Sequence, residues 1–445
     1  MRNLLMQSPI VVALCWIVAF LFFTVLPLLV LLVYPPPAGR GFWLEFSVAL
    51  GFIGLALMAL QFALTARVNR IEASYGIDLI LSFHRYTSFV AFVMVLVHPL
   101  ILFWVQPDTI QLLNFPEAPW RARLAVLSTF AFIALIVTTI WRKQLKIPYE
   151  PWRLSHSILS VLAVGLGLGH AIGVGNYLGL FWKAVLWAAI ALVALWLIVY
   201  IRLVKPWLMT RKPFLVEEVK PERGDVWTLA LRPIGHDGFQ FQPGQFAWIT
   251  LNITPYSMRE HPFSMSSSGE RSDRLEFGIK AVGDFTSRIK DYKPGTKAYL
   301  DGPYGVFTID RYEDAAGFVL IAGGIGITPI MSILVTAAER KDDRPYTLIY
   351  SNKTWDSITY REAIDELTQQ LELKVVHVLR EPPEDWEGET GYVDKELLDR
   401  YIPARRGTRH YFTCASPKMM NQVERALHDL NVPVTNVHLE HYNLA

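Results

Sequence analysis

Apolar residues are distributed unevenly along the chain. Through the first 205 positions they run almost without interruption, in six stretches of roughly 9–34, 42–66, 78–105, 122–141, 153–173 and 178–203. A helix needs about 20 such residues to cross a bilayer, and all six stretches qualify. After Lys205-Pro206 the period changes. Apolar and polar positions alternate in VWTLALRP and FAWITLNI, which predicts strands, and QPGQF and KPGT are turn signals between them. From about 211 to 310 the pattern predicts a compact antiparallel barrel. From about 316, GFVLIAGG, PIMSILVTAAERK and YTLIYSN read strand, helix, strand, the opening of an α/β unit with a parallel sheet. The expected architecture is multi-domain: a six-helix transmembrane bundle at 1–205, an antiparallel β-barrel at 206–312 and an α/β parallel-sheet domain at 313–445.

Composition follows that division. Of 445 residues 52% are hydrophobic, more than a soluble chain carries, and the excess lies in the first 205. A net charge of +2 with no long basic run gives no reason to expect a nucleic-acid partner. Two cysteines, Cys15 and Cys414, cannot form a disulfide framework. The first apolar run is long for a cleaved signal and stops at Tyr34-Pro35-Pro36-Pro37, so it is expected to remain as a transmembrane helix. Loop charges orient the spans. Arg67, Arg70, Arg142, Lys143, Lys146 and Arg153 lie on one side, as do Arg202, Lys205, Arg211 and Lys212 after the last span; Arg40, Arg121 and Arg123 lie on the other. The positive-inside bias predicts a multi-pass protein of the cell membrane with both termini in the cytoplasm. The third and fifth spans then both run outward.

Those two spans carry histidine where the pattern asks for apolar residues. FHRYTSFVAFVMVLVHP holds His84 and His98, and SHSILSVLAVGLGLGHA holds His156 and His170, fourteen positions apart in both. Fourteen steps return an α-helix to within about 40° of the same face, about 21 Å further along. His84 and His156 then lie near the cytoplasmic end, and His98 and His170 near the outer end, as two facing pairs. One intramembrane histidine reads most simply as a hydrogen-bonding or proton-relay group. Two matched pairs on parallel spans favour axial ligation of two iron porphyrins, because each polar group placed in hydrocarbon is costly. Two histidines alone would leave a tetrahedral zinc site half filled. No CxxCH sequence occurs, which excludes covalent haem attachment. Arg85 and Arg153 read equally as propionate partners and as interfacial lysine-like snorkels; Phe89 and Phe92, midway, read as core or lipid-facing aromatics.

Three motifs in the second half carry chemistry. His261-Pro262-Phe263-Ser264 follows a strand and offers an aromatic face, a hydroxyl and basic neighbours, which is what a flavin requires, although the tetrapeptide alone also suits an ordinary strand. GDFTSRIK, Gly283 to Lys290, predicts a tight turn into a helix capped by Asp284 or Thr286, with backbone amides suited to a pyrophosphate. LIAGGIGITPIMSIL ends a buried strand in Gly323, Gly324 and Gly326, with Thr328 and Pro329 opening a helix. Glycines there let a backbone approach phosphates that the helix N-terminus attracts. Pro329 stands where a GxGxxG motif would have its last glycine.

Together these residues resemble the NADPH oxidase and ferric reductase superfamily, over nearly the whole chain from about residue 9. The anchors are His84/His98, His156/His170, HPFS, GDFT, GGIGITP and CASP, in that order. The resemblance implies a ferric-reductase-type domain with two b-type haems, then a ferredoxin-reductase-type FAD and NAD(P) module. It implies that Phe263 and Ser264 contact the isoalloxazine, that His261, Pro262, Gly283 and Thr286 serve the ribityl and pyrophosphate, and that Gly323 through Thr328 hold the nicotinamide cofactor's phosphates. Cys414 would lie beside the nicotinamide, although Ala415 and Ser416 depart from the family's usual glycine and proline spacing. Tyr442 in HLEHYNLA would stack on the flavin, with Glu440 beside the nicotinamide. Ser351 and Lys353, with Arg361 as a further cation, are placed to meet a 2′-phosphate, favouring NADPH with NADH as the alternative. The implied activity is electron transfer from cytoplasmic NADPH through FAD and two haems to oxygen outside, giving superoxide, with ferric or cupric chelate reduction as the rival. No EF-hand or proline-rich tail is present, so no obligatory protein partner is expected.

Overall fold

A computed structural model describes residues 9–33, 38–67 and 76–440 of the chain, which divides into two compact units, Met1–Lys205 and Pro206–Ala445. Among the described residues, six helices in the first unit are long and apolar enough to cross a membrane. They are α1 (Pro9–Leu31), α2 (Phe42–Leu64), α3 (Ile77–Val105), α4 (Trp120–Ile140), α5 (Tyr149–Val174) and α6 (Phe181–Val199), the last followed by a π-helical turn over Tyr200–Val204. Helices apolar on every side cannot be sorted by hydrophobicity, so they pack by shape and by scattered polar contacts. A Cβ on Gly54 would come within 2.7 Å of Val95, and one on Gly173 within 2.4 Å of the Trp120 ring. These glycines let α2 lie close along α3, and α4 along α5. Ser128 adds a hydroxyl donated to the Ala163 carbonyl, and Gln61 bonds to Thr87 and Ser88. Phe92 packs edge-on against Phe132, while Phe89 is exposed.

The second unit begins with six antiparallel strands: β1 (Phe214–Glu222), β2 (Val226–Pro233), β3 (Phe246–Leu251), β4 (His261–Ser264), β5 (Leu275–Lys280) and β6 (Lys297–Tyr304). Their order is β4-β3-β6-β1-β2-β5. The sheet curls until Met265, just past β4, bridges to Phe277 of β5. Register breaks at Val216/Glu218 and Phe246/Trp248 allow that bending. FAWITL differs from the alternation expected of it, because all six residues are buried. Ala247, Ile249 and Leu251 join the barrel core, while Phe246 and Trp248 are covered from the other side.

The remaining strands, β7 (Phe318–Gly323), β8 (Tyr346–Asn352), β9 (Leu373–Leu379), β10 (Glu389–Thr390), β11 (His410–Cys414) and β12 (Val437–Leu439), form a parallel sheet ordered β10-β9-β8-β7-β11-β12. Helices α7 (Ile327–Arg340), α8 (Arg361–Leu367), α9 (Lys395–Tyr401) and α10 (Pro417–Asp429) accompany it. Phe318, Leu320 and Ala322 of β7 face the core that α7 fills, and Val319 and Ile321 face the core of α9 and α10. Burial on both faces explains why this strand reads as an unbroken apolar run. Strand order reverses at β7, so a crevice opens past the C-terminal ends of β7 and β11, the position at which such sheets bind nucleotides.

Candidate functional site

In the first unit, α3 carries both His84 and His98, and α5 both His156 and His170. The His84 and His156 rings lie 6.4 Å apart between centroids. Two metal–nitrogen bonds of about 2 Å each, plus the half-width of each ring, come close to that separation. His98 and His170 lie within electrostatic reach of one another. A ligand histidine must present one bare ring nitrogen, and a hydrogen bond from the other nitrogen fixes which one. The Nδ1–H of His98 donates to the Ser47 carbonyl (2.8 Å), and that of His170 to the Arg121 carbonyl (2.9 Å). Thr139 spends its hydroxyl proton on the Leu135 carbonyl, so at 3.2 Å its oxygen accepts from His156 Nδ1–H. In these three, Nε2 keeps the lone pair. His84 Nδ1 is buried with no hydrogen-bond partner among the described residues. This donor set fits haem iron.

In the second unit, β4 delivers the HPFS motif. Pairing with β3 sets Ser264 opposite Phe246 and Phe263 opposite Ala247, and leaves Ser264 5% exposed. Phe285, from the GDFT turn, stacks on His261 at 3.9 Å and lies nearly parallel to Phe263 at 6.1 Å. The turn itself corrects the sequence expectation. It enters a 3₁₀ helix at Thr286–Asp291 with Phe285 at the cap position, and neither Asp284 nor Thr286 caps it. Thr286 Oγ1 instead reaches backwards and accepts from the backbone N–H of Val282 (3.0 Å) and Gly283 (2.9 Å). With no α-helix N-terminus to fill, the threonine closes the turn that aims Phe285 at β4.

The crevice past β7 is built from glycines with distinct reasons. Gly324 adopts φ +54, open to few other residues. A Cβ on Gly326 would stand 2.0 Å from the Cys414 carbonyl oxygen, and one on Gly323 2.8 Å from Ala415 Cβ. The glycine turn and the start of CASP are therefore in direct contact, and register pairs Ala322 with Cys414. Tyr350 holds the turn by donating to the Gly324 carbonyl at 3.1 Å; burial pushes its phenol well up. Ser351 pairs with Gly323 at the end of β8. Thr328 is 3% exposed and donates to the Ile325 carbonyl, so its hydroxyl faces inward. Lys353 forms an ion pair with Glu381 at 3.3 Å. Arg361 lies over the Trp355 ring at 4.5 Å and bonds to Glu362.

Barrel and α/β sheet are joined by α7. Thr328, Ser332 and Thr336, one turn apart and all buried, reach Gly278, Ser267 and Gly269 of the barrel at 3.4, 2.7 and 2.8 Å. The chain beyond β12 returns to the same junction. The backbone N–H of Glu440 bonds to the Thr413 carbonyl, and its carboxylate lies 3.3 Å from where a Gly305 Cβ would stand, beside Phe246. Ser264, Phe246 and Glu440 thus converge, with Thr413 bonded to the Glu440 amide, while Cys414 itself is fully buried in the core that α7 fills. Tyr442 lies outside the described residues.

Comparison with known proteins matches three stretches of the chain to families. Residues 50–167 match the family described as the ferric reductase like transmembrane component, 211–308 an FAD-binding domain and 320–425 an oxidoreductase NAD-binding domain. NADH-cytochrome b5 reductase 2 of Debaryomyces hansenii is 30% identical over 210 residues, covering 42% of this chain and 69% of that protein. NADH-cytochrome b5 reductase 1 of the same yeast is 31% identical over 153 residues, covering 33% of this chain and 54% of the relative. The reductase component of propane 2-monooxygenase from Mycolicibacterium smegmatis is 36% identical over 155 residues, covering 34% and 43%. The chain thus spans about half the length of several of its curated relatives.

Proposed function

The chain belongs to the superfamily of oxidoreductases with the NADPH oxidase and ferric reductase architecture, and from that premise we propose that it carries electrons from NAD(P)H across the membrane. The nucleotide is oxidised on the cytoplasmic side, the side on which the positive-inside bias favours both termini, and oxygen is reduced by one electron to superoxide on the other. The observation that carries the reading is the pair of histidine pairs on α3 and α5, three of the four with Nδ1–H bonded so that Nε2 is bare, in a unit whose residues 50–167 match the ferric reductases. Bound FAD would supply the exchange between a hydride's electron pair and single electrons, and b-type haem the single-electron carrier.

The residues have separate tasks. His84 and His156 would hold the inner haem, and His98 and His170 the outer. Phe263 and Ser264 seat the flavin ring, with Phe285 stacked on His261 closing that side, and Pro262, Gly283 and Thr286 shaping the path of its chain. Gly323, Gly324, Gly326 and the amides that open α7 receive the nucleotide phosphates, with Thr328 anchoring that helix end. Cys414, Glu440 and Tyr442 border the nicotinamide. Ser351 and Lys353 border the adenosine ribose; the pairing of Lys353 with Glu381 leaves NADH and NADPH both acceptable.

Purified full-length protein in detergent, loaded with FAD and haem, tests the acceptor. Superoxide dismutase-sensitive reduction of cytochrome c in air is the expected result. Turnover confined to ferric or cupric chelates under anaerobic conditions would replace oxygen with metal as the acceptor.

A further inference from the structure

The four spanning histidines differ in what surrounds Nδ1. His84 Nδ1 has no partner among the described residues, and His156 Nδ1 has one threonine hydroxyl. His98 is held far more closely, by a single turn of a neighbouring helix. Ser47, fully buried on α2, presents its carbonyl at 2.8 Å and its hydroxyl at 2.9 Å to His98 Nδ1. The same hydroxyl lies 2.7 Å from the backbone carbonyl of His98 and donates to it. Ser47 therefore grips both the ring and the main chain of one residue. One turn on, a Cβ at Gly51 would stand 3.3 Å from His98 Cγ and 3.4 Å from Cδ2 and Nδ1. Bare backbone at Gly51 gives the ring its slot, and Ser47 stops it turning within the slot.

We propose that the Ser47–Gly51 turn of α2 is a positioning seat that fixes the plane of the His98 imidazole and sets the redox potential of the outer haem. The inference rests on the two-haem reading above. A hydrogen bond from Nδ1–H pushes electron density toward Nε2, strengthens the ligand and favours the ferric state. Two acceptors on one N–H make His98 the most strongly supported of the four. The orientation of its ring is set by α2, a helix that carries none of the ligands.

The test is a stepwise reductive titration of the full-length haem-loaded protein, followed at the haem absorption bands and by low-temperature EPR. The outer haem is the step missing in His98→Leu. Ser47→Ala is expected to make that haem easier to reduce, by a several-fold change in its ferric/ferrous equilibrium, and Ser47→Thr to restore it. Gly51→Ala is expected to shift the low-spin g-values of the same haem, and it carries the test if Ser47→Ala does not fold. Thr139→Ala should move only the other step. Two haems whose titration and g-values are unchanged in Ser47→Ala and Gly51→Ala would overturn the seat and leave the two-haem reading standing. A wild-type preparation that binds no haem would overturn both.

Discussion

The two units use polar residues in opposite ways. In the membrane unit they are few, and several make one named bond across helices: Ser128 to Ala163, Lys183 to the Leu31 carbonyl, His170 to the Arg121 carbonyl. In the reductase unit they are plentiful, and buried hydroxyls on α7 build a domain junction. An unpaired polar group costs more in hydrocarbon than where water or a backbone partner is at hand. A polar residue in a spanning helix is therefore informative by its presence alone. In the reductase unit only its spacing and its partners carry information.

The largest effect expected from this contrast is on the membrane histidines. His98→Leu and His170→Leu should each remove a haem and abolish the transmembrane step. FAD and the reduction of soluble dyes by NAD(P)H should survive, since the reductase unit is untouched; loss of flavin together with haem would erase the distinction. Next comes Gly326→Ala, whose Cβ would stand 2.0 Å from the Cys414 carbonyl. Overpacking of backbone against backbone should cost about 3 kcal/mol or more, read as a lowered melting temperature of the reductase unit and weakened nucleotide binding. Ser332→Ala leaves the Ser267 carbonyl without its partner and should cost about 1–3 kcal/mol, measurable by denaturant titration. A value near zero would show the α7 stripe to be passive.

Protonation provides a smaller effect. His438 stacks on Tyr312, bonds to its hydroxyl at 3.2 Å and to His410 Nδ1 at 2.9 Å. Burial chiefly, then His410 and Arg311, depress its pKa to about 3. An unfolded histidine titrates near about 6.5, so below that pH the unfolded state binds more protons than the folded one. The contribution is fully present above about pH 6.5 and is lost progressively as pH falls toward 3. Melting of the reductase unit should drop between pH 7.5 and 5, and His438→Phe should flatten that slope. Smallest of all is Lys353→Ala. The lysine is exposed beside Glu381, and an exposed ionic contact from it to a phosphate would be worth about 1 kcal/mol at most, roughly fivefold in KM. A rise in KM for NADPH alone would mark Lys353 as the 2′-phosphate contact; an equal change for NADH would make it a loop residue.

The same contrast decides what could be read from the sequence. The histidine pairs stood out because two otherwise apolar spans repeat the same fourteen-residue spacing, and the glycine turn because a buried strand runs straight into it. Ser47 did not stand out: one small hydroxyl in FSVALG is common in spanning helices, and its partner lies 51 positions away. Phe285 sits inside GDFT, yet only the fold shows it lying over His261. Tyr350 reads as one more apolar strand residue until its hydroxyl is seen on Gly324. The expected cap at Asp284 failed because a six-residue 3₁₀ segment needs fewer amides satisfied than a long helix, and Thr286 serves the preceding turn. The alternation expected in FAWITL failed because a strand covered on both faces loses its period.

The hydroxyl stripe of α7 has a consequence for motion. An oily interface lets a helix slide, since one methyl is as good a neighbour as the next. Three hydroxyls, each with one partner across the junction at a fixed height, act as a key in a lock's wards. The helix can be lifted away by giving up all three bonds together, but it cannot creep by half a turn. Whatever must shift to admit and release the nicotinamide is therefore sought elsewhere than in a glide of α7 over the barrel.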